Sequence, residues 1–390
     1  MTGAPAGATE SRVALVSYST KPRGGVVHTI SLAEAMVKEG MPVRVVSLGD
    51  QTHGFFRPVD APYQLITAPS HRDTLEERVF ASIDALERGL TELASDVDIF
   101  HTQDCISARA AARVRNAGAD VRVFRTVHHV DDFTTEVLVN CQRQAILEPD
   151  RLIVVSEDWH RRLADEYGMD SVVIHNGVDS GRFPPIAQER SAALRQEYGL
   201  AGRFVFLAVG GIEPRKGSTF LLQAMGRLKR DNAQPPALVV VGGHSFQDYQ
   251  AYRKEALDQL PALGLELDRD VILAGTVDGK RLHEWYRTAD ALAFPSVKEG
   301  WGLAVLEAMS ADLPVVASDI PVFREYLQHR KTALLTKVGD PQSLAAGMQD
   351  MMADAALRSS LIAAGRELLP SYTWKRAADQ HRKIYADPVR

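Results

Sequence analysis

The fold is decided by one stretch of the chain, Ala291-Leu-Ala-Phe-Pro-Ser-Val-Lys-Glu-Gly-Trp-Gly-Leu-Ala-Val-Leu-Glu307. Its apolar start, Ala291 to Ser296, predicts a buried strand, and the pattern from Leu303 to Met309 predicts a helix. Glu299 then lies in the loop and Glu307 on the helix. The first turn of a helix suits a phosphate, and carboxylates accept hydrogen bonds from hydroxyl groups. The stretch indicates a phosphate between two polyols, as in a sugar nucleotide, although an ordinary turn with solvated glutamates fits it too.

The same alternation of strand and helix runs through the whole chain. Arg12 to Tyr18 predicts the first strand, Val26 to Lys38 the first helix and Pro42 to Ser47 the second strand. Short connections between such units predict a parallel sheet with helices on both faces. Further strands are predicted at 63–67, 97–101, 121–126, 151–155, 171–175, 203–209, 237–241, 271–274, 291–294, 315–317 and 332–335.

This pattern predicts an α/β protein of two Rossmann-like domains, joined near residue 180 by a linker with turn and proline signals. We expect a disordered tail at 1–11, a first domain at 12–180 and a second domain at 181–370. A C-terminal helix at 371–390 is expected to return to the first domain. At 390 residues the chain is long enough for two such cores.

Composition excludes several classes of protein. The formal net charge of -5 provides no general attraction for nucleic acid or for an anionic membrane. Cys105 and Cys141 are too few for a disulfide framework and have no metal-like spacing, so a reduced cytoplasm is the simplest setting. The sequence shows no signal peptide and no apolar run of membrane-spanning length. Association with a membrane surface stays open, because Arg109, Arg113 and Arg115 cluster on one predicted helix.

A second motif, Gly210-Gly-Ile-Glu-Pro-Arg-Lys-Gly217, follows the first strand of the second half and opens a helix. Arg215 and Lys216 are cations at the positive end of a helix dipole, which is unfavourable unless an anion binds there. The alternative is a solvated basic turn. The motif does not match the Walker pattern, and the first loop of the chain lacks G-x-G-x-x-G.

Together these motifs carry a resemblance to a known family. Glu299-Gly-Trp-Gly-Leu303, Glu307-Ala-Met309 and Pro314-Val-Val-Ala-Ser318 resemble the E-x7-E signature of retaining glycosyltransferases of the GT-B fold, and more narrowly glycosyltransferase family 4. Gly210 to Gly217 resembles the phosphate-gripping loop of that family, and Ile174 to Asp179 its domain-linking segment. The resemblance implies two Rossmann-like domains facing across a deep cleft. The chain departs from the family at Gly211, where many members have arginine.

The resemblance implies a role for each matched position. Glu307 would hold the ribose and Glu299 the hydroxyl groups of the donor sugar, while Arg215 and Lys216 would neutralise the departing diphosphate. His128, in Thr126-Val-His128, would lie beside the reacting sugar, although a lone histidine is more often structural. The remaining donor-binding positions implied by the family are Gly24, Gly25, Gly210, Gly211, Gly275, Thr276, Val277, Trp301, Gly302 and Leu303.

Other polar residues are candidates for acceptor or metal binding. His101, Asp104 and Asp131 follow predicted strand ends and are candidates for contact with an acceptor. The two D-x-D triplets, Asp96-Val-Asp98 and Asp268-Arg-Asp270, precede strands and fit turns better than a metal site. We therefore expect no metal and no cofactor beyond the sugar nucleotide.

The sequence thus predicts a hexosyltransferase that moves a sugar from a UDP- or GDP-linked donor to an acceptor hydroxyl with retention of configuration. Two alternatives stay open: a GT-B epimerase or hydrolase of sugar nucleotides, and a non-catalytic subunit that binds them. The donor base, the sugar and the acceptor, whether small molecule, lipid or glycan, are not legible from the sequence. We expect no nucleic-acid partner.

Overall fold

The computed structural model describes residues 10–70, 72–243 and 249–387. By internal packing the chain divides into two units, the first formed by the residues up to Asn176 together with those from Trp374, and the second by Gly177–Thr373. Most of the predicted disordered tail, residues 1–9, lies outside the described residues. Ser11, at the end of the predicted tail, lies within the described residues, and its hydroxyl accepts a hydrogen bond of 3.1 Å from Arg122 Nη2.

The first unit contains a parallel sheet whose strands run in the order β3-β2-β1-β4-β5-β6-β7. Every residue of β1 is buried, as expected for a strand covered by helices on both faces. The strands are β1 (Val13–Ser17), β2 (Val43–Gly49), β3 (Tyr63–Thr67), β4 (Ile99–Thr102), β5 (Arg122–Val127), β6 (Arg151–Val154) and β7 (Val172–Val173), and the helices are α1 (Gly24–Lys38), α2 (Leu75–Leu93), α3 (Cys105–Asn116), α4 (Glu136–Leu147) and α5 (Glu157–Tyr167).

The second unit repeats this plan with strands in the order β10-β9-β8-β11-β12-β13. The strands are β8 (Val205–Val209), β9 (Ala237–Val241), β10 (Val271–Gly275), β11 (Ala291–Phe294), β12 (Val315–Ser318) and β13 (Leu334–Thr336). The helices are α6 (Gln188–Glu197), α7 (Ser218–Asp231), α8 (Gln250–Asp258), α9 (Gly279–Thr288), α10 (Leu303–Ser310), α11 (Pro321–Arg324), α12 (Pro341–Ala353) and α13 (Ala355–Leu368).

In each sheet the numbering of neighbouring strands falls and then rises. The reversal lies between β1 and β4 in the first unit and between β8 and β11 in the second. Loops after the strands at such a switch point diverge and leave a crevice for ligands. The predicted α/β class with two Rossmann-like domains is confirmed. Among the described helices, none has the length and apolar character that crossing a membrane requires.

The last helix, α14 (Trp374–Ala386), belongs to the first unit. Tyr385 anchors its end, since the hydroxyl lies 2.6 Å from His101 Nδ1 and the carbonyl accepts from Arg122 Nη2 at 2.8 Å. Trp374 anchors its start by packing edge-on against His28 with ring centroids 5.4 Å apart. These contacts hold α14 against α1, β4 and β5 of the first unit.

Candidate functional site

Three neighbouring loops in the second unit form the floor of the candidate site, at the carboxyl ends of β8, β9 and β10. Gly210 N donates to Val241 O at 2.8 Å, and Gly242 N donates to Gly275 O at 2.9 Å. A side chain at Gly211 would begin only 2.5 Å from the carbonyl oxygen of Gly243. The close approach explains why this position has no arginine, since a neighbouring backbone occupies the space that its Cβ would need.

The predicted phosphate-binding cations contact the predicted sugar-binding carboxylate directly. Lys216 Nζ lies 2.6 Å from Glu299 Oε1, and Arg215 Nη1 lies 3.6 Å from the same oxygen. Arg215 also pairs with Glu213, whose Oε2 is 3.1 Å from Nε. The side chains of Lys216 and Glu299 are only 16% and 8% exposed. Two cations and two carboxylates therefore form a compact cluster with no net charge.

The pKa values of both pairing groups lie below their usual values, which favours the charged form of Glu299 and disfavours that of Lys216. Burial by itself raises the pKa of Glu299, but the charges of Lys216 and Arg215 outweigh it and hold that pKa below its usual value. Burial lowers the pKa of Lys216, with Glu299 opposing the shift. The carboxylate and the ammonium group, which pair with each other here, can also bind hydroxyl and phosphate groups of a ligand.

The turn before α10 is held rigidly by aromatic packing. Gly302 has a φ of 90°, and a Cβ there would lie 2.6 Å from Phe323 Cε1, so the position requires glycine. Trp301 stacks on Tyr326 with centroids 4.7 Å apart, and the Tyr326 hydroxyl donates to the Trp301 carbonyl at 2.9 Å. Gly302 brings no side chain to cap α10, which leaves the N-terminus open for a phosphate at the predicted place.

Glu307 lies on α10 and is held by Tyr286, which the sequence analysis did not select. The Tyr286 hydroxyl on α9 donates to Glu307 Oε2 at 2.7 Å, and its ring is fully buried. Burial raises the pKa of Glu307, and the hydrogen bond from Tyr286 opposes the shift. The two residues are separated by a strand in the sequence, so no local pattern connects them.

In the first unit, the glycine pair at the start of α1 lies beside His128. A Cβ on Gly25 would be 3.6 Å from His128 Cδ2, so the imidazole packs directly on the backbone there. His128 Nε2 lies 3.1 Å from Gln103 Oε1, and the His28 ring packs edge-on at 4.5 Å. Burial lowers the pKa of His128 to about 3, so its imidazole is neutral at physiological pH.

The structure places two of the three acceptor candidates in structural roles. Both ring nitrogens of His101 are engaged, with Tyr385 at 2.6 Å and Thr126 Oγ1 at 2.7 Å, and the side chain is fully buried. Asp104 caps α3, since its Oδ1 accepts from Ser107 N at 2.8 Å and its Oδ2 accepts from Tyr18 N at 3.0 Å.

His101 therefore has no ring nitrogen left to contact an acceptor. Each carboxylate oxygen of Asp104 already accepts a hydrogen bond from a backbone N–H group. Asp131 is partly exposed, with His129 Nε2 3.4 Å from its carboxylate, and its contact with an acceptor stays a prediction.

The remaining charged motifs also form internal pairs. Asp98 pairs with Arg12 at 2.8 Å and Asp270 with Lys229 at 2.6 Å, which accounts for one carboxylate of each D-x-D triplet. Within the described ranges, no group of three or more histidine, cysteine or acidic side chains is arranged to hold a metal ion. Arg113 of the basic cluster contacts Asp84 and Glu87, both within 3.0 Å.

Comparison with protein families gives two matches that together span most of the chain. Residues 22–182 match the family described as Glycosyltransferase Family 4, and residues 191–368 match Glycosyl transferases group 1. The first match covers the glycine pair and His128, and the second covers Arg215, Lys216 and both site glutamates.

Individual relatives and structures agree with these matches. A glycosyltransferase of Methanocaldococcus jannaschii, described as uncharacterized, is 25% identical over 96% of this chain and 97% of its own. A D-inositol 3-phosphate glycosyltransferase of Geodermatophilus obscurus is 32% identical over 73% of this chain, which spans 60% of that relative. The structure of Anabaena HepE in complex with UDP and glucose superimposes with a TM-score of 0.80 and 19% identity, covering 97% of this chain and 100% of the other.

Proposed function

Because this chain belongs to glycosyltransferase family 4 and has the GT-B fold, it is a glycosyltransferase, and we propose that it acts on a nucleoside diphosphate sugar with retention of configuration and without a metal ion. The observation that carries the proposal is the partly buried cluster of Lys216, Arg215 and Glu299 just before the N-terminus of α10, which has no side-chain cap. The two cations of this cluster can bind a diphosphate. The carboxylate, which contacts both cations, can bind sugar hydroxyl groups.

In the proposed reaction, the bond between the anomeric carbon and the diphosphate oxygen breaks as the acceptor oxygen bonds to the same face of that carbon. The acceptor proton passes to the departing diphosphate, so no side chain has to act as a strong base. Lys216 and Arg215 stabilise the charge that develops on the diphosphate, the role that metal ions have in other transferases. Glu299 accepts hydrogen bonds from the donor sugar, and Glu307 from the ribose.

His128 is proposed to contact the reacting sugar as a neutral hydrogen-bonding group. A pKa of about 3 makes it a poor proton acceptor at neutral pH, which argues against a role as general base. Its ring is held by Gln103 and packed on Gly25, so it can present a fixed hydrogen-bonding edge.

The first donor to test is UDP-glucose, because HepE is described as binding UDP and glucose. D-inositol 3-phosphate is the first acceptor to test, because the Geodermatophilus relative is named for it. A screen of UDP-, GDP- and ADP-sugars by thermal shift comes before transfer assays with small-molecule, lipid and glycan acceptors. The acceptor dependence then separates a transferase from an epimerase or hydrolase, which turns over the donor alone at full rate.

The decisive variant is Lys216→Met, which removes the ammonium group while filling most of its volume. We expect turnover to fall by about 100-fold or more, the effect of removing one donor aimed at developing charge. The matched control is Lys254→Met, because Lys254 is an exposed lysine paired with Asp258 at 2.6 Å. Near-normal transfer by Lys216→Met, or an equal loss in the control, would contradict the proposed role.

A further inference from the structure

Glu307 is expected to accept hydrogen bonds from the ribose, yet one of its two carboxylate oxygens is already occupied. The Tyr286 hydroxyl donates to Oε2 at 2.7 Å, which leaves Oε1 as the oxygen available to a ligand. A carboxylate on a three-bond stem rotates broadly about its last torsion unless something fixes it. The hydrogen bond to Tyr286 supplies such a constraint.

Tyr286 is itself held in place firmly. Its ring is fully buried within α9 and packs edge-on against Phe183, with centroids 5.4 Å apart and planes at 88°. The adjacent Trp285 is also fully buried and packs against Tyr198 at 5.0 Å. Because the ring is held on α9, its hydroxyl has few alternative positions. The hydrogen bond therefore fixes the Glu307 carboxylate relative to α9.

We propose that Tyr286 is a positioning residue that fixes the Glu307 carboxylate and thereby gives the enzyme its preference for ribonucleotides over deoxyribonucleotides. This inference rests on the proposed function, in which Glu307 accepts hydrogen bonds from the ribose. The hydroxyl of Tyr286 has no contact with the nucleotide in this scheme. It acts by keeping one carboxylate oxygen turned towards α9 and the other towards the vicinal diol.

Energetics support a measurable effect. A hydrogen bond to a charged group in a buried setting is stronger than a neutral one, and its loss leaves the carboxylate both less fixed and less well solvated. Burial already raises the pKa of Glu307, so the Tyr286 hydroxyl also helps to keep this group ionised and able to accept two hydroxyl donors. Removing the hydroxyl weakens both effects while leaving the aromatic ring.

The test is a comparison of nucleotide binding by Tyr286→Phe and the parent enzyme. Isothermal titration calorimetry is carried out with UDP, GDP and ADP, and the nucleotide that binds best is compared with its 2′-deoxy and 3′-deoxy forms. The parent enzyme is expected to prefer the ribonucleotide by about 10-fold or more. Tyr286→Phe is expected to bind the ribonucleotide about 10-fold more weakly and the deoxynucleotides with little change.

Two further variants separate positioning from general damage. Tyr198→Phe makes the same substitution in a ring that packs on α9, and it is expected to keep the full ribose preference. Glu307→Gln removes the charge that Tyr286 is proposed to hold. Adding Tyr286→Phe to it should then cause little further loss, since residues that act through one contact have non-additive effects.

Each outcome has a distinct meaning. Full ribose preference in Tyr286→Phe, or additive losses in the double variant, overturns the positioning role and leaves the proposed function intact. No binding of any nucleotide by the parent enzyme overturns the proposed function and this inference with it. Loss of preference in Tyr286→Phe alone, with Tyr198→Phe unaffected, supports the inference.

Discussion

Acidification is expected to destabilise the first unit, because four histidines there have lowered pKa values in the folded state. His28, His101 and His381 are buried and His128 is partly buried, and burial is the first cause of the lowered pKa of each. The pKa is about 3 for His128 and about 4 for His381, and it lies well below 6.5 for His28 and His101.

The sign follows from proton binding in the two states. An unfolded histidine titrates near pH 6.5, so below that pH the unfolded chain binds protons that the folded unit does not. The free energy of unfolding therefore falls as the pH falls from about 6.5 towards the folded pKa values. Between pH 7 and pH 5, His128 and His381, whose folded pKa values are about 3 and about 4, each contribute a loss of about 2 kcal/mol, and the lowered pKa values of His28 and His101 act in the same direction.

One group opposes this loss. Burial raises the pKa of Asp104 to about 6, so its folded carboxyl takes up a proton near pH 5 while the unfolded one does not. That uptake returns about 1 kcal/mol between pH 7 and pH 5. The net loss from His128, His381 and Asp104 is therefore about 3 kcal/mol, a large part of the stability of many domains, which is about 5–15 kcal/mol. Because His28 and His101 add to this loss, the first unit is expected to lose much of its stability under mildly acidic conditions.

The measurement is urea denaturation followed by tryptophan fluorescence at pH 7, 6 and 5, with hydrogen exchange to assign the transition to the first unit. His381→Gln should reduce the loss between pH 7 and pH 5 by about 2 kcal/mol, since the position then has no imidazole to titrate. Among the described residues its ring Nε2 has no hydrogen-bond partner, while Nδ1 donates to the Ala377 carbonyl at 2.8 Å, so the exchange also removes that hydrogen bond and the ring packing against His101 and Tyr385. An equal loss in the parent and His381→Gln would refute the reasoning.

Two further predictions concern the second unit. Glu299→Gln removes one negative charge from the neutral cluster, so calorimetry should show a nucleoside diphosphate binding about 5-fold more tightly, while transfer falls by about 100-fold for lack of the sugar contact. Weaker diphosphate binding would contradict the charge argument. Gly211→Ala places a Cβ 2.5 Å from Gly243 O and should cost about 2 kcal/mol in denaturant unfolding. Gly279→Ala, where a Cβ would meet nothing within 4 Å, is its control and should be neutral or slightly stabilising, so equal effects in both variants would show that the contact is unimportant.

Local sequence patterns determined the elements of this protein and their order. Tyr63–Thr67, Ala237–Val241 and Ala291–Phe294 have the bounds that their hydrophobic patterns predict. Such patterns are legible because burial on a strand or helix face repeats with the period of the backbone. The motifs around Arg215 and Glu299 could also be identified from the sequence, because each is one short continuous stretch of the chain.

Only the tertiary structure decided how the polar groups pair. Lys216 meets Glu299 across 83 positions of sequence, and His101 meets Tyr385 across 284. The second contact turns an expected acceptor residue into an anchor for α14. The tertiary structure also shows why this chain has Gly211 where many family members have arginine. The carbonyl oxygen of Gly243, in the loop after β9, occupies the space that a side chain would need. The spacing of apolar residues in the sequence indicates which face of an element is buried. A hydrogen bond between distant elements depends on where each element packs, and no local pattern carries that information.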